Sequence, residues 1–237
     1  MKKLFIIALS FFMFACSEET TKLDETPKFT TDNTNPVYLD ENGITVKAKD
    51  WAQIGSKGTI NSIVYTVEDE GTLREMIRNG VDVTNVCTSR ITDMSSMFSD
   101  KYFFNGDIRA WDVSSVTNMR GMFFDADNFN GDISSWDVSS VTNMNGMLSN
   151  AFSFNQDLSS WDVSQVTDME RMFKDAISFN QDISAWDVGN VTYMRNMFNG
   201  AIVFNQNLGS WDVSKVEDYI NFDFDTPQWT LPKPNFN

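Results

Sequence analysis

Aspartate is the residue type in this chain whose spacing most directly indicates chemistry. One set recurs every 25 residues, each member inside a Trp-Asp-Val triplet: Asp112, Asp137, Asp162, Asp187 and Asp212. If neighbouring repeats stack about 4.8 Å apart, these carboxylates form an acidic stripe whose like charges repel by about 1 kcal/mol even in water. Two arrangements would offset the repulsion. Each carboxylate accepts hydrogen bonds from the residue two positions later, or Ca²⁺ lies between repeats.

A second acidic set lies five positions before the first: Asp107, Asp132, Asp157 and Asp182, with Asn207 completing the series. Five extended residues span roughly 16 Å, which is too far for both sets to share one ion. The chain also lacks a Gly-rich loop of the D-x-D-x-D type to supply the remaining oxygen ligands of Ca²⁺. We therefore expect local hydrogen bonding, no bound metal and no cofactor, and we treat the first set as a candidate binding stripe.

Composition argues against enzymatic chemistry and against nucleic acid as a partner. The 237 residues include no histidine, which removes the commonest general base, every His-containing triad and the usual zinc ligands. A hydrolase with paired carboxylates is the weaker interpretation, because an active site is singular whereas these carboxylates recur in every repeat. We expect no enzyme. The formal charge of −15, about −17 without Lys2 and Lys3, repels phosphate backbones.

The segments that carry these residues repeat with the same period. Phe-Asn pairs begin at Phe104, Phe129, Phe154, Phe179 and Phe204. Two methionine series keep the 25-residue step: Met119, Met144, Met169 and Met194, then Met122, Met147, Met172 and Met197. Met94, Met97 and Phe98 belong to a degenerate first unit that begins near Val86. Such a period predicts a solenoid in which stacked units bury continuous columns of Trp, Val, Met and Phe.

Within one unit, Trp136 and Val138 alternate around Asp137, which predicts a short strand with the tryptophan facing inward. From 141 to 151 apolar residues step by three or four, which predicts a helical turn with Thr142 as its N-cap. The predicted fold class is an α/β repeat solenoid. It is a leucine-rich-repeat-like stack of short strand plus helical turn, with about five full coils, one degenerate coil and terminal caps.

Three further sets of residues allow both a functional and a structural interpretation. The tryptophans could form a platform for sugars, but their alternation with valine favours core packing. The Asn after each repeat Phe could bind a ligand, although we favour a buried amide ladder that satisfies turn backbone. These residues are Asn105, Asn130, Asn155, Asn180 and Asn205. Cys87 replaces the strand Asp of the first unit, and we expect a buried or edge thiol rather than a reactive one.

The N-terminus predicts export. Lys2 and Lys3 precede an apolar run at 4–14, which is too short to span a bilayer and is typical of a signal peptide. The run ends at Ala15-Cys16, which resembles a lipobox, so we expect residues 1–15 to be cleaved and Cys16 to be lipidated. Cys87 then has no partner for an intramolecular disulfide. The sequence at 17–19, Ser-Glu-Glu, is similar to the acidic tag of some Gram-negative lipoproteins that reach the outer face.

The rest of the chain divides by composition. Residues 16–43, rich in Thr, Asp, Asn and Pro, are expected to hold the lipidated cysteine and a flexible tether. Residues 44–85 are the expected N-terminal cap, with strands at 44–46 and 60–67 and a helix at 72–79 started by a Thr72–Glu75 capping box. Residues 86–220 are the expected repeat solenoid. Residues 221–237 are the expected C-terminal cap, in which Trp229 falls 25 residues after Phe204.

The repeats resemble those of the BspA-like leucine-rich-repeat surface proteins of bacteria, in the branch built on FNxDISxWDVSxVTxMxxMF units. Residues 154–163, FNQDLSSWDV, are close to this pattern throughout, and the resemblance covers about residues 80–220. It implies cell-surface display and, for some members, adhesion to host proteins or other cells. We therefore expect a monomeric outer-membrane lipoprotein, anchored through Cys16 and facing the exterior, that binds an extracellular protein or glycan. The alternative is a structural spacer or coat protein without a specific ligand.

Overall fold

The computed structural model describes residues 34–236, so the expected signal peptide, Cys16 and residues 17–33 lie outside the described residues. Five strands and one helix have regular geometry: β1 Val37–Leu39, β2 Val46–Ala48, β3 Lys57–Ile60, β4 Ile63–Val67, α1 Glu70–Arg78 and β5 Val86–Cys87. In the described residues beyond β5, the repeats consist of turns and isolated β-bridges. No helix within 34–236 is both long and apolar enough to cross a membrane.

Two small sheets precede the repeats. β1 and β2 pair in antiparallel register, and β3 and β4 form a hairpin. The hairpin turn is Asn61-Ser62, and both residues have positive φ, as a type I′ turn requires. β4 pairs in parallel with β5, so the second sheet leads directly into the first repeat. The tether expected over 16–43 is wrong where β1 lies, because Val37 is buried and β1 is hydrogen-bonded to β2.

The helix begins before its expected start. Asp69 is the N-cap, and its carboxylate accepts the Thr72 N–H at 2.8 Å, so Thr72 is not the cap. The helix ends at Arg78, one residue before the expected end, and Gly80 stops it as we expected, with a φ of +69° in the left-handed region. The Val81 N–H donates to the Met76 carbonyl at 2.9 Å, which completes a Schellman-type ending.

Parallel backbone bridges join successive repeats. They connect Asp93, Asn118, Asn143, Asp168, Tyr193 and Asp218 in that order. From Asn118 onward, each bridge residue lies seven positions after the tryptophan of a Trp-Asp-Val triplet, whereas we expected the strand at the triplet itself. The burial alternation of the triplet is confirmed: Trp136 and Val138 are buried and Asp137 is exposed. The inward direction of the tryptophan therefore arises without strand pairing at that position.

The segment 144–151 forms consecutive turns, which differs from the helical turn that we expected. Its backbone N–H groups alternate between two kinds of acceptor. Met147 donates to the carbonyl three residues earlier, whereas Gly146 donates to Glu170 in the next repeat at 2.7 Å. Gly146 and Asn150 have φ of 61° and 60°, values that a right-handed helix excludes.

Thr142 is not a helix N-cap. Its hydroxyl donates to the carbonyl oxygen of Thr117 in the preceding repeat at 3.2 Å, and its backbone N–H donates to the same oxygen at 2.9 Å. Thr117, Thr167 and Thr192 make the same pair of contacts with the threonine 25 residues earlier. The recurring threonine therefore fastens one repeat to the one before it.

A single apolar core runs through the repeats and consists of stacked side-chain columns. Phe129 stacks on Phe154 with ring centroids 5.8 Å apart, and Trp161 stacks on Trp186 at 6.4 Å. The phenylalanine column ends at Trp229, which meets Phe204 edge-on at 4.8 Å and is only 5% exposed. Each such aromatic pair contributes about 0.5–1.5 kcal/mol beyond the burial of its area.

Candidate functional site

The first aspartate set forms a column of Asx turns. Each Oδ1 accepts the backbone N–H two residues later, at distances between 3.0 and 3.2 Å. For Asp162, hydrogen bonds from Ser164 hold the pKa of the carboxyl below its usual value, and Ser214 does the same for Asp212. Local hydrogen bonding is thus confirmed as an arrangement that stabilises the charged carboxylates.

Two more columns use the same turn. In the second acidic set, Oδ1 accepts the N–H two residues later in Asp107, Asp132, Asp157, Asp182 and Asn207. At the bridge position it does so in Asp93, Asn118, Asn143, Asp168 and Asp218. The first two columns therefore share a local structural role. Within residues 34–236, no group of three or more Asp, Glu, His or Cys side chains is placed to hold a metal ion.

Asp112 departs from its column. It is only 4% exposed, and it accepts the Ser89 hydroxyl at 2.5 Å and the Ser114 hydroxyl at 2.6 Å. Asp137, Asp162, Asp187 and Asp212 are exposed. The accessible part of the predicted stripe therefore begins at Asp137, because the N-terminal strands pack over the first repeat.

Cys87 is buried, as we predicted. Its thiol donates to the Val46 carbonyl at 3.3 Å, and burial raises the pKa of the thiol. A raised pKa keeps the sulfur in its poorly nucleophilic protonated form.

The tryptophan column is part of the core, so the sugar-platform interpretation is wrong. The five repeat tryptophans are at most 5% exposed. Each indole Nε1–H donates to a carbonyl 28 residues earlier, as from Trp186 to Leu158 at 2.9 Å. The buried indole nitrogens are thereby satisfied within the fold.

The asparagine column is an amide ladder, as we predicted, but most of it is exposed rather than buried. Each Oδ1 accepts the backbone N–H of the next asparagine, as Asn155 does from Asn180 at 2.9 Å. Asn205 ends the ladder by accepting the N–H of Thr230 at 2.9 Å. These side chains bind the neighbouring repeat, which accounts for their recurrence.

The structure contains a candidate binding site that we did not predict, an apolar cleft of about 440 Å³ beside the first repeat. Phe98, Phe104 and Ile108 belong to the repeat side, whereas Ile77, Val81 and Val83 come from α1 and the segment that follows it. Phe104 is the first member of the phenylalanine column and is half-buried, while the later members are fully buried. The cleft is thus an open end of the core column.

Exposed aromatic side chains line the same cleft. Phe103 is 87% exposed, the highest value among the large apolar residues of 34–236, and its neighbour Tyr102 is 47% exposed. Arg78, Asp82, Asp100 and Lys101 also line it. Hydrogen bonds from Thr84 hold the pKa of the Asp82 carboxyl below its usual value, so this carboxylate stays charged. Apolar surface with a few charged groups is typical of ligand-binding clefts.

The sequence does carry a signal for this site. Four later repeats bury an alanine at the equivalent position: Ala126, Ala151, Ala176 and Ala201. The first repeat has Lys101 there, followed by Tyr102 and Phe103. A break in an otherwise regular repeat therefore coincides with the cleft.

These observations define a class of protein: hydrogen-bonded 25-residue repeats with a shared apolar core and a cleft at the first repeat. The family described as "Mycoplasma protein of unknown function, DUF285" matches residues 71–176 and 141–228. Together the two matches span more than half of the chain, so the chain belongs to this family. No curated protein and no solved structure matches the chain.

Proposed function

We propose that this chain is a cell-surface lipoprotein of the BspA-like group and that its repeats serve as a non-catalytic binding or adhesion module for a protein or glycan. In this proposal the repeats form a leucine-rich-repeat-like solenoid anchored to the outer membrane through lipidated Cys16. The observation that carries the binding role is the exposed Tyr102-Phe103 pair beside an apolar cleft. Contact of water with an exposed Phe side chain is unfavourable, and a partner that covers the side chain removes this cost.

The charge and side-chain inventory supports binding rather than catalysis. The cleft is lined by Arg78, Asp82, Asp100 and Lys101 but by no cysteine, and the chain contains no histidine. Aromatic rings with neighbouring charged groups recognise both peptide side chains and the apolar faces of sugars. The acidic surface of the exposed Asp137–Asp212 column would exclude other polyanions, which favours neutral or basic partners.

The binding role is tested by probing glycan and extracellular-protein arrays with the full mature chain. Any interaction should be lost in Phe103→Ala and retained in Phe152→Ala. Phe152 is a matched control because it is 37% exposed and lies at the position of Tyr102 two repeats later. If neither array yields a ligand, the spacer or coat alternative replaces this proposal. If both variants bind a ligand equally, the binding site lies outside the cleft and the role proposed for Phe103 is wrong.

The anchoring role is tested separately, with metabolic labelling. Cells grown with a fatty-acid analogue should incorporate the label into this protein, and Cys16→Ala should abolish the incorporation. Cys87 cannot substitute for Cys16 because its side chain is buried. Labelling that persists in Cys16→Ala would end the lipoprotein assignment, and protease accessibility on intact cells would decide between exterior and interior display.

A further inference from the structure

A ladder of backbone hydrogen bonds joins the repeats, with four bonds at each junction between neighbouring repeats. In the repeat that begins the ladder, Met94, Ser96, Phe98 and Asp100 donate their N–H groups to carbonyls 24 residues later. The equivalent four residues donate at each of the following junctions. The last donors of these junctions are Asp125, Asn150, Asp175 and Gly200. All four donors of a repeat therefore face its C-terminal neighbour.

In the last repeat these four donors are Tyr219, Asn221, Asp223 and Asp225, which we call the terminal donor row. Among residues 34–236 none of their N–H groups has an acceptor. The intervening N–H groups are used inside the repeat, since Phe222 donates to Tyr219 at 3.0 Å and Phe224 donates to Asn221 at 3.2 Å. The terminal donor row is thus an edge of the ladder at which four backbone N–H groups are unpaired within residues 34–236.

The C-terminal segment passes beside this row but does not complete it. Phe236 stacks on Tyr219 at 4.4 Å, and the Lys233 ammonium pairs with Asp223 at 2.6 Å. A groove of about 320 Å³ lies among these residues and includes Ile220 and Pro234. Ile220 and Phe224 are 55% and 63% exposed. Unpaired donors next to exposed apolar side chains are the features of a site for backbone addition.

A second copy of this chain does not supply four free acceptors. The equivalent carbonyls of its first repeat include those of Asp93 and Ser95. Arg74 of α1 donates to Ser95 at 2.8 Å and to Asp93 at 3.4 Å. Two of the four carbonyls at the N-terminal end of the ladder are therefore already hydrogen-bonded to the chain's own helix, whereas within residues 34–236 the four donors at the C-terminal end have no acceptor.

We propose that the terminal donor row binds a polypeptide strip from a different chain, which presents four backbone carbonyls in the same succession of turns as this chain's own repeats. This inference rests on the proposed binding function and names the partner class as polypeptide rather than glycan. The strip must consist of turns, because Asn221 and Asp225 have φ of 56° and 57°. The equivalent residues of the earlier junctions also have positive φ, between 52° and 76°.

A side-chain contact specifies the partner further. At an inner junction the Asn150 amide donates to the Asp125 carboxylate at 2.5 Å, next to the last rung. Asp225 occupies the position of Asp125 four periods further on and is exposed. The partner strip therefore carries an amide or ammonium donor opposite Asp225. A carboxylate at that place would be repelled.

The probe for this proposal is a synthetic peptide of residues 141–151, VTNMNGMLSNA, because this segment accepts the four rungs from Met119, Gly121, Phe123 and Asp125 within the fold. In ¹⁵N-labelled full-length protein, the peptide should shift the amide signals of the terminal donor row and slow their hydrogen exchange. No shift at millimolar peptide, or shifts elsewhere only, overturns the proposal. Protection that depends on protein concentration without peptide would assign the row to self-association and also overturn it.

Charge exchange provides the matched control. The peptide with Asn150→Asp should bind the wild-type protein at least about tenfold more weakly, because a charge-assisted hydrogen bond becomes a like-charge contact. Asp225→Asn in the protein should restore its binding. Asn is compatible with this backbone, since Asn150 has φ of 60° at the equivalent position. Peptide binding should be unchanged in Phe103→Ala, so failure here and failure at the cleft are separate results.

Discussion

The indole Nε1–H of Trp161 donates to the carbonyl oxygen of Ile133, 28 residues earlier, at 3.2 Å. Both groups are buried, so the bond joins two repeats inside the core, where no water can replace it. The same contact recurs from Trp111 to Trp211. The tryptophan column therefore combines apolar burial with a specific polar link at each junction.

Trp161→Ala should lower the free energy of unfolding by about 3–5 kcal/mol, as large-to-small changes in a core do. Trp161→Phe should keep most of the packing but leave the Ile133 carbonyl unpaired, at a cost of about 1–3 kcal/mol. Urea denaturation followed by circular dichroism measures both. Trp51→Ala is the control, because Trp51 is 51% exposed. Equal effects at positions 51 and 161 would contradict the core assignment.

Asn155→Ala should destabilise the protein by about 0.5–1.5 kcal/mol, because the Asn180 N–H loses its acceptor at 2.9 Å. Gln181 also loses an acceptor, since its Nε2–H donates to the same Oδ1 at 3.0 Å. Asn155→Asp keeps the oxygen and should retain most of the stability. Thermal unfolding of the two variants separates a backbone-ladder role from a ligand role. An alanine variant as stable as wild type would exclude the ladder as a stabilising element.

The placement of core residues could be predicted from the sequence, because a strict 25-residue period requires equivalent environments at each repeat. Trp136, Val138 and Cys87 are buried as predicted. Trp229, which lies one 25-residue period after Phe204, packs on the end of the phenylalanine column. The backbone of 144–151 could not be predicted from apolar spacing alone, because consecutive turns also place apolar residues three or four positions apart. Gly146 and Asn150, both suited to positive φ, were the available signal.

The candidate site was less predictable. The regular spacing of the aspartate columns suggested a binding site, yet their carboxylates accept the hydrogen bonds of Asx turns that recur in every repeat. The cleft lies where the pattern breaks, at Lys101, Tyr102 and Phe103. A regular column identifies residues that one repeat requires of the next. An interruption identifies residues that the stack does not require, and these are the better candidates for binding.

Deleting residues 221–237 should produce aggregation. The deletion removes Trp229 from its edge-on contact with Phe204, and it removes the carbonyls of Phe222 and Phe224 that accept from Phe198 and Gly200. The exposed apolar column would then associate with the apolar surfaces of other copies. Light scattering and size-exclusion chromatography measure the outcome. Leu231→Ser is a control within the same segment, because Leu231 is 42% exposed. A soluble monomer of unchanged stability would refute a capping role.

Stability should fall as the pH drops below about 4, the ordinary range of aspartate. Hydrogen bonds from Ser159, Ser164 and Ser184 lower the pKa of Asp157, Asp162 and Asp182 in the folded protein. A folded-state pKa below the unfolded value contributes stability that is present above the unfolded pKa and lost as pH falls through the folded one. The effect per residue is small because these carboxylates are exposed.

Replacing Asp157, Asp162 and Asp182 together by Asn isolates this contribution. Asn207 already holds the same turn in the last repeat, accepting the Gly209 N–H at 3.1 Å, so the backbone should persist. The triple variant should show a flatter dependence of unfolding free energy on pH between about 2 and 5. A slope identical to that of wild type would mean that the turns stabilise neutral and charged side chains equally.

Calcium should have no specific effect on the fold. The first aspartate set supplies one carboxylate per repeat, and its Oδ1 atoms already accept backbone N–H groups, as Asp162 does from Ser164 at 3.0 Å. Two adjacent repeats offer an ion two carboxylates, whereas Ca²⁺ takes about six to eight oxygens. Chelation should leave circular dichroism unchanged. Ca²⁺ should raise the Tm no more than NaCl of equal ionic strength, because only screening of the acidic column remains. A Ca²⁺-specific rise that disappears in Asp162→Asn would instead identify the column as a metal ladder.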